Sequence, residues 1–112
     1  MTFLYLNSDR MGSGPDEELG RRLLVLFLRK LAESGVPIDA VGCTNGGVLL
    51  STREGPALAI LKTLKSRGAR IASCSTCLDH LGLRDSLMVG EVGSMDATVQ
   101  ILTTADRVIS PC

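Results

Sequence analysis

The sequence has no tryptophan, and one Tyr, two Phe and one His are its whole aromatic complement in 112 residues. It also has no net charge, with 12 Lys and Arg against 12 Asp and Glu and the histidine neutral. Nucleic-acid binders need the reverse of both, a basic footprint for phosphates and flat rings for bases, so that class is set aside. Long hydrophobic runs are missing too. The longest, Leu23 to Leu28, has six residues, against the roughly 20 of a membrane-spanning helix. The opening MTFLYLNSDR lacks a basic stretch leading into an apolar run and a small-residue cleavage site. No secretory signal is read there, and a cytoplasmic setting is expected. No Gly-Lys-Ser/Thr phosphate loop, Ser-His-Asp order or carboxylate pair stands out, so acyl transfer and glycoside hydrolysis have no candidate machinery. There is no internal repeat and no low-complexity linker.

What is present is a globular composition, 45% hydrophobic and 21% charged, at the length of a single domain covering residues 1–112. Four cysteines stand out: Cys43, Cys74, Cys77 and Cys112. In a cytosolic chain they argue for thiol chemistry or metal rather than a disulfide framework.

Along the chain, Phe3 to Leu6 reads as a strand buried on both faces. The Gly/Pro/Ser loop Ser8 to Pro15 follows, and Asp16 caps a helix over 16–34 whose first turn carries Glu17 and Glu18. Leu19, Leu23, Leu24, Phe27, Leu28 and Leu31 recur at three- and four-residue spacing and are expected to form one broad buried face. Gly35 and Pro37 close that helix. Ile38 to Cys43 is a second strand, left by the turn Thr44-Asn45-Gly46-Gly47. Ser51 with Glu54 matches a capping box, but a helix begun there would put Pro56 inside its hydrogen-bond ladder, so the helix is placed from Pro56 to about Arg67. Arg70 to Cys74 is strand three and Cys77 to Leu81 a short helix stopped by Gly82. Leu87 to Val92 contains a strand, Ser94 caps a helix to about Ala105, and Arg107 to Ser110 is strand five. This alternation predicts an α/β fold, a parallel sheet with helices on both faces. Ligand sites of such sheets lie beyond the carboxyl ends of the strands. Cys43, Cys74 and Cys112 are expected on that edge, with Cys77 a turn further on.

The strongest local feature is Cys74-Ser75-Thr76-Cys77, a CxxC between a strand and a helix. The unpaired N–H groups of a helix start favour thiolate, which makes a reactive Cys74 physically sensible. Cys77 is placed to resolve a disulfide or persulfide formed at Cys74. The bland alternative is that both are small buried hydrophobes, and for Cys43 and Cys112 that alternative is preferred. Cys74, Cys77 and His80 make three potential zinc ligands, one short of a structural site, unless a second subunit completes it. No metal or other cofactor is expected, and His80 is read as a surface residue. A thioredoxin-like reading is disfavoured because the motif follows the third strand and no proline lies between strands three and five. Gly12-Ser13-Gly14 reads as a turn, since Asp16, Glu17 and Glu18 would repel a phosphate there. Asn45-Gly46-Gly47 has the backbone freedom for an anion nest or a plain tight turn.

Four blocks also carry a resemblance. SDRMGSGPDEELG from Ser8 to Gly20 resembles the SDxMGxGxEELG opening of the DsrE/DsrF-like domain in YedF-type selenium metabolism proteins. Asn45-Gly46-Gly47-Val48 is similar to that branch's NSGV, CSTCLDHLGL from Cys74 to Leu83 to its CGTCLDYYGL, and VGEVGSM from Val89 to Met95 to its VGEVTNM. The resemblance implies a three-layer α/β/α fold around a five-stranded, mainly parallel sheet, assembled as dimers, trimers or larger rings. It implies sulfur relay, with Cys74, at the end of the third strand, accepting sulfane sulfur as a persulfide and passing it to a partner protein. Cys77 matches the second cysteine of the branch, and selenium is suggested by the branch name alone. YedF-type proteins usually carry an N-terminal sulfur-carrier domain with a CPxP motif, whereas this sequence opens at the strand of the second domain. A donor or acceptor in trans, such as a small CPxP carrier, is therefore expected. Gly46 stands where the branch has serine and His80-Leu81 where it has two tyrosines, so no family role passes to those positions. Cys43 and Cys112 have no counterpart.

The expectation is a sulfur-relay protein in which Cys74 is the nucleophile. Such a carrier, loaded and unloaded once per cycle, catalyses nothing alone. Two readings stay open beside it: a non-catalytic module using the glycine-rich edge for a small ligand or partner, and a CxxC dithiol redox protein.

Overall fold

The computed structural model describes all 112 residues. In chain order they form β1 (Thr2–Leu6), α1 (Glu17–Glu33), β2 (Ala40–Cys43), a 3-10 turn (Asn45–Val48) running into α2 (Leu49–Thr52), and α3 (Pro56–Ser66). Then come β3 (Arg70–Cys74), α4 (Ser75–His80), a 3-10 turn (Arg84–Ser86), β4 (Glu91–Gly93), α5 (Met95–Thr104) and β5 (Arg107–Ile109). The strands make one five-stranded sheet in the order β4-β3-β2-β1-β5, and every pairing is parallel. From β1 to β4 the chain steps across the sheet in one direction, so right-handed crossovers set α1 and α3 side by side on one face. The long return from β4 to β5 carries α5 over the other face.

Period-two alternation divides the strands between the two layers. Leu4, Leu6, Val41, Cys43 and Ile71 join Leu24, Leu28, Leu58, Leu61 and Leu64 in the main core. Phe3 and Tyr5 point the other way and stack at a ring separation of 5.9 Å. Gly42 makes room for them: a Cβ there would lie 2.6 Å from the Phe3 ring.

Helix starts follow local chemistry. Asp16 caps α1, its Oδ1 accepting from the Glu18 N–H at 2.9 Å, and α3 begins with Pro56 at its first position. The structure corrects two expectations, the extent of the buried face of α1 and the start of α4, and bears out another, that the helix begins at Pro56 and not at Ser51. Of the expected face of α1, Leu24 and Leu28 are buried with Gly20, and Phe27 and Leu31 pack half-buried against the core, while Leu19 is 50% and Leu23 39% exposed. Apolar residues wrap more than half of this helix, and only the strip facing the sheet can be covered. Ser51 caps nothing. It sits inside α2, where its hydroxyl donates to the Val48 carbonyl at 3.0 Å and meets the Ser73 hydroxyl at 2.7 Å in a buried pair. The helix expected at Cys77 begins at Ser75, so no loop separates β3 from α4.

Core packing makes a direct prediction. Leu28→Ala should lower the unfolding free energy by about 2–5 kcal/mol. Leu26→Ala on the exposed side of α1 should change it by less than about 0.5 kcal/mol for the monomer. Urea titrations at low protein concentration measure both, and equal losses would contradict this division of the helix.

Candidate functional site: a thiol pair at the carboxyl edge of the sheet

Cys74 is both the last residue of β3 and the N-cap of α4, with extended backbone at φ −60 and ψ 126. A helix start leaves its first N–H groups without partners, and the side chain at this position is the nearest acceptor. Oxygen-bearing residues usually hold it; here it is sulfur. The Thr76 and Cys77 N–H groups open toward Cys74 more loosely than a formed capping bond requires. That fits a neutral thiol, which is a weak acceptor. Cys74 is buried, 3% exposed. Burial pushes its thiol up, but the N–H groups and side chains of Cys77 and Thr76 outweigh that and hold it below the ordinary value of 9.0.

Cys77 lies half-buried in the first turn of α4. Its Sγ accepts the Asn45 N–H at 3.1 Å, across from a different loop. Burial raises its pKa; the Asn45 N–H opposes that, and the hydrogen bond and charge of Cys74 add to it. Of the two thiols, Cys74 is therefore the one that gives up its proton more readily.

Tight packing aims the Asn45 loop. Asn45 takes the left-handed backbone, φ +48, which asparagine tolerates better than most residues. Thr44 fastens the loop to β1, its N–H bonding the Leu6 carbonyl at 3.0 Å and its hydroxyl the Tyr5 oxygen at 3.1 Å. Gly47 then passes so close to β1 that a Cβ would lie 1.9 Å from the Leu6 carbonyl oxygen. Gly46 is less constrained, with a Cβ 3.3 Å from the Asp9 nitrogen. Asn45-Gly46-Gly47 thus forms a 3-10 turn pressed on β1, and the Asn45 N–H is engaged by the Cys77 sulfur.

The other two thiols lie elsewhere. Cys43 ends β2 but faces the main core, 1% exposed, and burial pushes it up to about 12 despite a Ser73 contact that lowers it. Cys112 is half-buried near the Ser8 carbonyl, 3.8 Å away, and is also raised by burial. The expected edge cluster of three thiols therefore separates. Strand alternation turns Cys43 to the opposite side of the sheet from Cys74, and the near neighbour of Cys74 is Cys77.

His80 is exposed at the end of α4, and no three His, Cys, Asp or Glu side chains converge as a metal site. Its neighbour Asp79 receives a two-pronged contact from Arg84 at 2.7 and 2.9 Å, which ties α4 to the following turn and lowers the Asp79 pKa. Thr76 was missed as a participant from sequence. Its signal was its place inside the CxxC, at the second helical position, where an N–H reaches back to the cap. One surface groove runs between α3 and the segment before β4, lined by Lys62, Lys65 and Met88, and another along α1, lined by Leu19, Leu23 and Arg29. Neither includes Cys74, which is buried, or Cys77, which is half-buried.

Fold and site together define a small all-parallel α/β domain with an unequal thiol pair where its third strand enters a helix. The chain belongs to the DsrE/DsrF-like family, whose model matches residues 38–111, from just before β2 to just beyond β5. That family is associated with sulfur relay. Solved structures agree on the fold. A protein of unknown function, MTH1491 from Methanobacterium thermoautotrophicum, superposes with TM-score 0.68 at 23% identity, covering 98% of this chain and 97% of the other. The ychN protein from E. coli gives 0.65 at 21%, covering 97% of each chain. A conserved protein of unknown function, BT1422 from Bacteroides thetaiotaomicron, gives 0.66 at 13%, covering 97% of this chain and 93% of the other. A comparison with proteins of curated function finds no match.

Two measurements check the electrostatics. The pH profile of Cys74 alkylation should have its midpoint below that of an ordinary thiol. Cys77→Ala, which removes a donor, should move the midpoint up, and an unmoved midpoint would show that Cys77 does not stabilise the thiolate. For Cys43 the folded pKa is raised, so its contribution to stability is full below about 9 and is lost as pH rises toward about 12. Across that window the wild type should lose stability more steeply than Cys43→Ala, by at most about 1.4 kcal/mol per pH unit. Denaturant titrations at stepped pH give the two slopes, and equal slopes would contradict a buried, protonated Cys43.

Proposed function

We propose that this domain is a persulfide carrier of a sulfur relay, with Cys74 as the residue that takes up and passes on sulfane sulfur. The observation that carries the reading is the place of Cys74, which ends β3 and caps the start of α4, where the first helical N–H groups favour its thiolate; of the four thiols it alone is driven down in pKa. Thiolate is the form that attacks sulfur. In loading, the Cys74 thiolate attacks the terminal sulfur of a donor persulfide. The new S–S bond forms on Cys74 as the donor's S–S bond breaks, and the donor leaves as a thiolate that takes a proton. Unloading is the same exchange with an acceptor thiolate attacking the outer sulfur on Cys74.

The family's association with sulfur relay supports delivery by another protein, such as a small CPxP carrier acting in trans. No helix is long and apolar enough to cross a membrane, and a cytoplasmic, reducing setting suits four free thiols. Assembly with further copies is supported by exposed apolar residues on α1, Leu19, Leu23 and Leu26, and on the α5 side, Met95, Val99 and Val108. The likeness of CSTCLDHLGL to the YedF-type block extends the proposal to selenium, which the same thiolate would carry as a selenium-loaded cysteine.

Intact-mass spectrometry tests the assignment. Reduced Cys77→Ser protein exposed to a persulfide donor should gain the mass of one sulfur atom, and the further substitution Cys74→Ser should abolish that gain while circular dichroism stays unchanged. The same adduct on the double variant would place the sulfur on Cys43 or Cys112 and overturn the reading. No adduct on either protein would favour a binding module.

A further inference from the structure

Carriage by Cys74 leaves Cys77 without a step of its own. Yet Cys77 is the thiol toward which two separate parts of the chain converge. It lies three residues after Cys74, in the first turn of the helix that Cys74 caps. From the opposite side the Asn45 N–H, held by a left-handed residue in a loop clamped to β1, meets the same sulfur at 3.1 Å. A hydrogen bond to sulfur strengthens as negative charge gathers there, so the Asn45 N–H stabilises the Cys77 sulfur as it gives up its proton in an attack.

We propose that Cys77 discharges the Cys74 persulfide within the chain, releasing hydrosulfide and leaving a Cys74–Cys77 disulfide, so that the domain is a persulfide reductase as well as a carrier. This rests on Cys74 being the sulfur acceptor. In the step, Cys77 Sγ attacks Cys74 Sγ, the inner sulfur of the persulfide. The bond between the two cysteine sulfurs forms as the bond from Cys74 Sγ to the outer sulfur breaks. The outer sulfur leaves with that electron pair, and the Cys77 proton goes with it as hydrosulfide. Persulfide anion plus thiol thus becomes disulfide plus hydrosulfide, balanced in atoms, charge and electrons. Cys77 is oxidised and the departing sulfur is reduced. An external dithiol, exchanging with the disulfide, returns the pair to its starting state.

Carriage and discharge are then competing fates of one intermediate. An acceptor protein that reaches the outer sulfur first takes it as sulfane sulfur; otherwise Cys77 converts it to sulfide. The choice depends on which sulfur of the persulfide is attacked.

The test loads wild type and Cys77→Ser with inorganic polysulfide under argon, removes the excess by gel filtration, and follows intact mass and released sulfide together. Cys77→Ser is expected to hold the one-sulfur adduct throughout. The wild type is expected to lose it, ending two hydrogens lighter than the reduced protein, with one hydrosulfide released per chain. A wild type that keeps its adduct as long as Cys77→Ser overturns the discharge step while leaving Cys74 as carrier. Disulfide formation without release of sulfide overturns it equally. Failure of Cys77→Ser to gain sulfur at all would instead overturn the carrier reading, and the discharge step with it.

Discussion

The chemistry of this domain depends on a helix that starts where a strand stops, with no residue between them. β3 ends at Cys74 and α4 begins at Ser75, so the first N–H groups of α4 have the Cys74 side chain as their nearest acceptor. A hydroxyl or carboxylate there would form a strong cap. A neutral thiol forms only a weak one, and the Thr76 and Cys77 N–H groups stay loosely placed. Ionisation turns a poor acceptor into a good one, so the incomplete cap itself favours the thiolate. The reactive group and the helix terminus are two descriptions of one hydrogen-bonding deficit.

The rest of the fold holds that junction in place. Parallel register sets Cys43 opposite Ser73 and Cys74 opposite Gly93, which fixes where β3 ends relative to the loop leaving β2. Gly47, with no space for a Cβ beneath the Leu6 carbonyl, lets that loop fold down onto β1. Asn45 is thereby aimed at Cys77. Strands β1, β2 and β3 and the loop leaving β2 thus meet at the carboxyl edge of the sheet, where parallel α/β folds place their ligands. Meanwhile Cys43, one residue short of the turn, lies on the opposite face of the sheet, and burial keeps it protonated and inert.

Much of the fold was legible because local signals and tertiary demands agreed. Apolar strand-length runs at Phe3 to Leu6 and Arg70 to Cys74, Asp16 before an acidic first turn, and Pro56 at a helix start each pointed one way. So did the four family blocks. Where local pattern exceeded tertiary need, reading it alone failed. Leu19 and Leu23 fit a helical stripe, but the core covers the strip through Leu24 and Leu28, with Phe27 and Leu31 half-buried beside it, and leaves those two exposed. At Ser51 and Glu54 a capping box competed with Pro56, and the proline rightly decided the helix start; Ser51 is instead drawn inward to Ser73, 22 positions away. The CxxC announced a thiol site, and the sequence could not show which backbone N–H would reach Cys77 from 32 residues away. Contacts of that range are fixed by strand order, which local periodicity does not encode.

The central claim is that sulfur is held on Cys74 by the opening N–H groups of α4. A crystal structure of Cys77→Ser protein loaded with polysulfide tests it most directly. The account predicts one additional sulfur bonded to Cys74 Sγ, with the N–H groups of residues 76 and 77 closed to hydrogen-bonding distance of the persulfide. Additional sulfur on Cys43 or Cys112 with Cys74 unmodified would contradict it.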